Sequence, residues 1–437
     1  MPEMSKSALI FLSVMVLGTA AHASEQLQDM LPSTDINTIQ PLSNDNADET
    51  RTDPAQLNKA VVDYQKSIKD LQKFHGAFYD QISQELVGMG LAFRNLGQEE
   101  NALDAFNRSL HINRINHGLY DASQLPILEL IIQSNTALAD WQALDQNYHY
   151  LYWVTRRIYG SDDARLLPVI DRLGRWHLNA SLLAKDQQPF DHLITADLLF
   201  QDAVRIIEKN YGPDDARLIE PLYGLVMSNY HIASHASAAV MYGDLHYSRV
   251  NSAFMDNARE EVQARLDLID DSYREGKKAM EKIVDIYAKN PVLPGDDHGT
   301  ALILLGDWYL LFDRRKSAME AYANAFTKLQ ESGMQEQDIN DLFGHPRSLP
   351  ALQMPMEFQA QQAASSSEND EYVIARFDVS KTGLASNIEI VEARPADNAI
   401  LMRHAKASIR ATRFRPRLEN GQPVATTGVN IKYVDQE

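Results

Sequence analysis

Cysteine is absent from the chain, which excludes a disulfide framework, a thiolate metal site and a cysteine nucleophile. At 437 residues the chain does not need disulfides, because a protein of this size buries enough core without them. Long apolar runs are scarce as well. Beyond the N-terminal segment no stretch approaches the roughly 20 apolar residues of a membrane-spanning helix, so the mature protein is expected to be soluble. Positive charge is in deficit: 41 Lys and Arg stand against 60 Asp and Glu, a formal net charge of −19. So acidic a body argues against nucleic acid as a partner. What is present fits a folded protein, with 44% hydrophobic and 23% charged residues, and the length calls for more than one packing unit.

The N-terminal segment bears on the compartment. Lys6 precedes an apolar run of 14 residues, Ala8 to Ala21. Ala21-His22-Ala23 then forms an A-x-A cleavage site before Ser24. This reads as a secretory signal peptide over residues 1–23 and predicts export to the periplasm; an uncleaved anchor is the alternative. Residues 24–56 are polar and acidic with scattered prolines, and read as a flexible leader.

From residue 57 to residue 331 the pattern is helical, with glycine and proline falling between helices. Leu86, Gly90, Phe93 and Gly97, followed by Ala102, Phe106 and Ser109, give a large–small–aromatic helix, a turn, and a small–large–small helix. Small residues let two antiparallel helices approach, and the aromatic ring fills the next layer. Leu302, Gly306 and Tyr309 with Ala318, Tyr322 and Ala325 repeat that spacing, with Asp313 in place of the turn glycine. A second repeat is independent: Tyr159-Gly-Ser-Asp-Asp-Ala-Arg-Leu166 matches Tyr211-Gly-Pro-Asp-Asp-Ala-Arg-Leu218, with a weaker copy from Gly118. The glycines are 42 and 52 residues apart; glycine suits a helix end and the Asp pair a following cap. These units resemble the tetratricopeptide (TPR) repeat, in the longer variety found in kinesin light chains. The resemblance implies an α-solenoid of about five or six helical pairs. Between Ala233 and Val262 the pattern fades.

Residues 332–369 break the helical rhythm with Pro346, Pro350 and Pro355 and a Ser-rich stretch, and read as a linker. Residues 370–437 alternate. Tyr372, Ile374, Phe377 and Val379 predict a strand, Ile388 and Ile390 a second, and Val429, Ile431 and Tyr433 a last one. Between them Asp397 is placed to cap a helix that buries Ile400, Leu401, Ala405 and Ile409. From Tyr372 on, ten Lys or Arg against seven Asp or Glu give a net of +3, leaving −22 for the rest of the chain. That asymmetry suggests two domains with different partners.

The strand–strand–helix–strand order resembles the TonB C-terminal domain, as do Phe377-Asp-Val-Ser-Lys-Thr-Gly383, Arg413-Phe-Arg-Pro416 and Asn420-Gly-Gln-Pro-Val424. The fold expected for the whole chain is therefore mainly α: a TPR-like solenoid followed by a small α/β domain. TonB proteins usually carry an uncleaved anchor and a Pro-rich spacer, for which a signal peptide and a helical array stand here.

No catalytic constellation emerges, so no enzyme activity, catalytic residue or cofactor is expected. Gly88-Met-Gly90 lacks the third glycine of a nucleotide loop. His231 and His235 are one turn apart but lack a glutamate in H-E-x-x-H register and a third ligand, so no metal site is assigned. Arg413, Arg415 and Arg417 alternate along an extended segment and read as a solvated strand face, with a partner's carboxylates as the other reading.

Function is then expected at protein-binding surfaces. On the array the groove-facing positions are Gln84, Val87, Leu91 and Arg94 in the first clear repeat, and Thr300, Ile303, Asp307 and Leu310 in the last. The TonB resemblance implies strand addition along Val429, Asn430, Ile431, Lys432 and Tyr433, with outer-membrane receptors or another TonB-system component as partner. The same edge could meet a second copy in a homodimer. The leading expectation is a periplasmic adaptor accessory to TonB-dependent transport, with no small-molecule substrate. An envelope-assembly scaffold, or an anchored energy transducer if the N-terminal segment is retained, are the rivals.

Overall fold

The structure, a computed structural model, describes residues 53–183, 189–247, 255–350 and 372–434. The signal-peptide assignment, most of the acidic leader and much of the expected linker lie outside these residues. The described residues form thirteen α-helices followed by a small β-rich region. They divide into two compact units, one ending at Leu173 and the other beginning at Gly174.

The first unit holds α1 (Pro54–His75), α2 (Gln81–Asn95), α3 (Glu99–His117), α4 (Gln124–Ala137), α5 (Trp141–Tyr159) and the start of α6 (Leu167–Leu183). Helices α1 to α5 pack against one another in sequence order. Asp53 starts α1: its carboxylate accepts from Ala55 N at 3.0 Å, and Pro54 follows where no N–H is needed. Small residues set the approach of α2 and α3. A Cβ on Gly90 would lie 2.4 Å from the Phe106 ring, and the Ser83 and Ser109 hydroxyls meet at 2.8 Å. Ile68, Ile82, Leu86, Ala105 and Ile112 complete that core. Gly97 closes the α2–α3 turn at φ +72°, a left-handed conformation that a side chain resists.

The second unit continues through α7 (Pro189–Tyr211), α8 (Ile219–Tyr247), α9 (Met255–Lys289), α10 (Gly295–Leu311), α11 (Arg315–Glu331) and α12 (Glu336–Phe343). Phe200 fills the space left by two glycines: a Cβ on Gly174 would stand 2.8 Å from its ring, and one on Gly224 2.5 Å. Gly306 does for Tyr322 what Gly90 does for Phe106, with the same 2.4 Å separation. Where the repeat pattern fades, after Ala233, the backbone is mostly the end of α8 and the start of α9, the two longest helices.

The paired Tyr-Gly-x-Asp-Asp-Ala-Arg-Leu motifs build one device twice. Asp163 and Asp215 accept from the backbone N–H two residues on and start short 3₁₀ turns, Ala164–Leu166 and Ala216–Leu218. Each motif arginine returns to its aspartate and covers the motif tyrosine, Arg165 at 3.8 Å from the Tyr159 ring and Arg217 at 4.1 Å from that of Tyr211. The side-chain and backbone bonds from Arg165 hold the Asp163 carboxyl down at about 2.

Part of the expected linker is regular: α12 and then β1 (Arg347–Ser348) lie in it. The C-terminal region comprises β2 (Tyr372–Val379), β3 (Ala385–Arg394), α13 (Ala399–Ala411), β4 (Phe414–Arg415), β5 (Arg417–Glu419), β6 (Gln422–Val424) and β7 (Thr426–Val434). The main sheet is antiparallel in the order β3-β2-β7, with Ala375 opposite Ile431 and Phe377 opposite Val429. Helix α13 covers it through Leu401, Ala405 and Ile409, which meet Val373, Ala375 and Phe377. Two expectations fail here. The α13 cap is Asn398, whose side chain accepts from Leu401 N at 3.0 Å, not Asp397. Ile400, placed in the core from sequence, is 58% exposed, because it falls one position off the buried stripe. Three short strands also precede β7, with β5 and β6 joined by Asn420-Gly421, both at positive φ as a tight hairpin requires.

Candidate protein-binding surfaces

Strand β7 ends the order β3-β2-β7, so among the described residues it pairs only with β2. Period-two alternation sets its side chains. Val429, Ile431 and Tyr433 are half-buried against the core, while Asn430 and Lys432 are exposed. Lys432 Nζ sits 4.4 Å from the Tyr372 ring centroid. At the β7 start, Gly428 N donates to Asp378 Oδ1 at 3.0 Å and Asn387 Nδ2 to Asp378 Oδ2 at 2.7 Å. These bonds, the Asn387 one first, lower the Asp378 pKa below the ordinary carboxylate value. Among the described residues no strand lies on the outer side of β7, and an edge strand is the template that strand addition uses.

On α2 the predicted groove row is open. Gln84 is exposed, Leu91 is 38% exposed, and Val87 and Arg94 are half-buried. Arg94 Nη1 donates to Gln133 at 2.8 Å, and its Nε lies 3.8 Å from Glu99.

On α10 the same register is closed. Thr300 is exposed, its hydroxyl donating to Asp296 O at 2.9 Å. Ile303, Asp307 and Leu310 are buried, at 2%, 3% and 0% exposure. They do not line an open groove: the C-terminal region lies against two of them, Asp307 through Arg415 and Leu310 beside Gly383. Arg415 grips Asp307 with both arms of its guanidinium, Nε to Oδ1 at 2.9 Å and Nη2 to Oδ2 at 2.5 Å. Tyr322 donates its hydroxyl to the same Oδ1 at 2.7 Å. Burial penalises the Arg415 charge, but the Asp307 carboxylate outweighs it and raises the Arg415 pKa. Burial and then Asp307 push the Tyr322 hydroxyl far up, so it stays a donor.

The solvated face expected of Arg413, Arg415 and Arg417 is thus corrected. Arg415 is 2% exposed, and Arg413 and Arg417 are half-buried. Arg413 donates to Ala411 O at 3.1 Å and lies 3.8 Å from Asp313; Arg417 pairs with Glu419 at 2.8 Å. Backbone pairing reinforces the contact. Strand β1 runs antiparallel to β4, Leu349 N donates to Arg413 O at 2.9 Å, and Phe414 N donates to Gly383 O at 3.0 Å. Gly383, at φ +77°, admits no side chain: a Cβ would come 2.2 Å from Phe414 O and 2.9 Å from the Leu310 side chain.

The motifs weighed for chemistry have packing roles. Gly88 and Gly90 lie inside α2 and face the Tyr64 and Phe106 rings. His231 and His235 rest against Tyr230 and Phe190, at 5.2 and 5.4 Å between ring centroids, and burial pushes His231 down to about 4. Among the described residues no helix is long and apolar enough to cross a membrane.

Comparison with known proteins agrees with the C-terminal geometry. Residues 361–434 match the family model described as Gram-negative bacterial TonB protein C-terminal. That family is envelope-associated and works through protein–protein contact with outer-membrane components. The helical region before it is compatible with a repeat array. No curated protein matches the chain. Among solved structures, the crystal structure of BtubC (BKLC) from P. vanneervenii is similar at a TM-score of 0.36 and 10% identity, over 65% of this chain and 92% of that one. A likeness at that level says nothing of function.

Proposed function

We propose that this chain is a periplasmic adaptor whose helical array has TPR character and whose TonB-like domain takes an extended segment of an outer-membrane receptor, or of another TonB-system component, onto β7. The observation that carries the reading is the edge position of β7, which among the described strands pairs with β2 alone, in a region that matches the TonB C-terminal family. The row on α2 supplies a second surface, through which the array holds a periplasmic partner. Affinity at β7 comes from main-chain hydrogen bonds, so a lost N–H costs more than a lost side chain.

The full chain is the right material, since β4 is tied to α10 through Arg415 and Asp307. Titration with peptides from candidate outer-membrane receptors should shift β7 resonances by NMR. Asn430→Pro or Lys432→Pro should abolish binding if that residue's N–H points to the open edge, while Lys432→Ala leaves it near the unaltered level. Peptide binding that leaves the β7 resonances silent sinks this reading. Export is checked separately: a mature N-terminus at Ser24 in the periplasmic extract supports it, and retention of residues 1–23 in a membrane fraction favours the anchored transducer.

A further inference from the structure

The sheet has a second edge. Strand β3, ten residues long, pairs only with β2 among the described residues. Beside it α13 walls an open groove of about 810 Å³. Its floor is apolar, with Ile388 and Ile390 from β3 and Met402 from α13. Its rim is basic. Arg403, Lys406 and Arg410 line the groove at a spacing of three and four, so they stand on one face of α13. Arg403 and Arg410 are exposed and Lys406 is half-buried. None of the three has an ion pair or hydrogen bond among the described residues. Glu389 is the acidic residue that borders the groove.

We propose that this groove is a second binding surface, for an extended acidic segment of another protein that adds to β3. Each requirement on the occupant follows from the geometry. A free strand edge offers backbone donors and acceptors in register, which a polypeptide uses and a lipid headgroup or a lone anion does not. Three unpaired cations along one wall select carboxylates, and an apolar floor selects alternate apolar side chains. Every second side chain of an added strand faces α13, so the occupant is a strand whose α13-facing residues include apolar ones over the floor and acidic ones at the basic rim. The array cannot compete for such a segment, since the chain before Tyr372 carries the −22 and the C-terminal region the +3. The surface is independent of the β7 reading: the two edges lie on opposite sides of β2 and are separable by mutation.

The test uses the full chain and a fluorescein-labelled peptide of roughly eight residues, the length of a strand, with Val and Glu taking turns at the positions of one face and Thr at every position of the other. Fluorescence anisotropy should show binding that weakens as salt rises from about 50 to about 200 mM. A partner peptide with Lys for every Glu should not bind. The double variant Arg403→Glu, Lys406→Glu should weaken binding by about tenfold or more, and the backbone resonances that shift by NMR should be those of β3 and not of β7. Arg403→Gln alone, at an exposed position, gives a smaller loss in the same direction and serves if the double variant fails to fold. Equal binding of the Lys peptide, or an unaltered affinity in both α13 variants, overturns the proposal. So do shifts confined to β7, which would put the peptide there. Binding that appears only after removal of residues 24–56 would make this chain's own leader the occupant, and equally overturns it.

Discussion

On α2 the row Gln84, Val87, Leu91 and Arg94, and on α10 the row Thr300, Ile303, Asp307 and Leu310, follow one spacing but meet different surroundings. Leu91 is 38% exposed where its counterpart Asp307 is 3% exposed, and Arg94 is half-buried where Leu310 is wholly buried. Inside the helical pairs the two repeats match closely, down to glycine against an aromatic ring at 2.4 Å. The difference lies in what covers the outer face. A repeat leaves one face unsatisfied, and the last repeat of an array must be capped or carry a polar surface. Here the C-terminal domain is that cap. An aspartate at the α10 position, with no equivalent on α2, is the residue through which the cap is fastened.

The largest break in the comparison should come from the ion pair. Arg415→Ala or Asp307→Ala leaves a buried charge without its partner and should cost about 3–5 kcal/mol. Urea unfolding should show the loss, and hydrogen exchange should locate it at β1, β4 and α10. Replacing both partners, as Asp307→Leu with Arg415→Met, removes the two desolvation costs together and should restore most of the stability. If the double variant is as damaged as the singles, the pair is not what fastens the domain.

This contact also marks where sequence reading stops. The helical pairs are legible because their small and large residues recur at fixed local spacings, as Gly90–Phe106 and Gly306–Tyr322 do. The main strands are legible because burial on one face imposes alternation, as in Val429, Ile431 and Tyr433. Arg415 and Asp307 lie 108 residues apart, and nothing in the neighbourhood of either announces the other. Alternating arginines in an extended segment look the same whether water or a carboxylate lies opposite. One signal was available in hindsight: an aspartate stands among Ile303 and Leu310 on a strongly apolar helix, and a lone acid in such a stretch calls for a buried cation.

Acid should separate the two units next. His231, in the second unit, is held down to about 4 by burial, against about 6.5 for a free imidazole. Its folded pKa is depressed, so the folded state binds the proton less well than the unfolded chain. Its stability contribution is intact above about pH 6.5 and is lost as pH falls towards 4, amounting to about 3 kcal/mol. Thermal melts of His231→Gln should show a smaller decline over that window than the unaltered protein. Equal declines would assign the acid sensitivity to other groups.

A third change tests whether the repeats are alike inside. Gly90→Ala and Gly306→Ala each drive a methyl group into an aromatic ring, at a cost of about 1–3 kcal/mol from overpacking. The gain in helix propensity, about 1 kcal/mol, offsets part of it. Both should therefore lose stability by similar amounts in denaturant melts. A strong effect at one and none at the other would break the equivalence of the two registers.

The smallest effect should fall on the open row, and it sharpens the comparison most directly because it uses the position matched to Asp307. Leu91 is 38% exposed, so its truncation removes side-chain contact only on its inner side and opens no cavity. Leu91→Ala should then change stability by no more than about 0.5 kcal/mol, as at other surface positions, against several for Asp307→Ala. The proposed role of the row is binding, so the same variant should lower capture of the array's periplasmic partner while the melt stays put. A destabilisation of about 2 kcal/mol or more would mean that Leu91 is covered in the native protein as Asp307 is. The first repeat would then be capped too, and the array would offer no open face at this register.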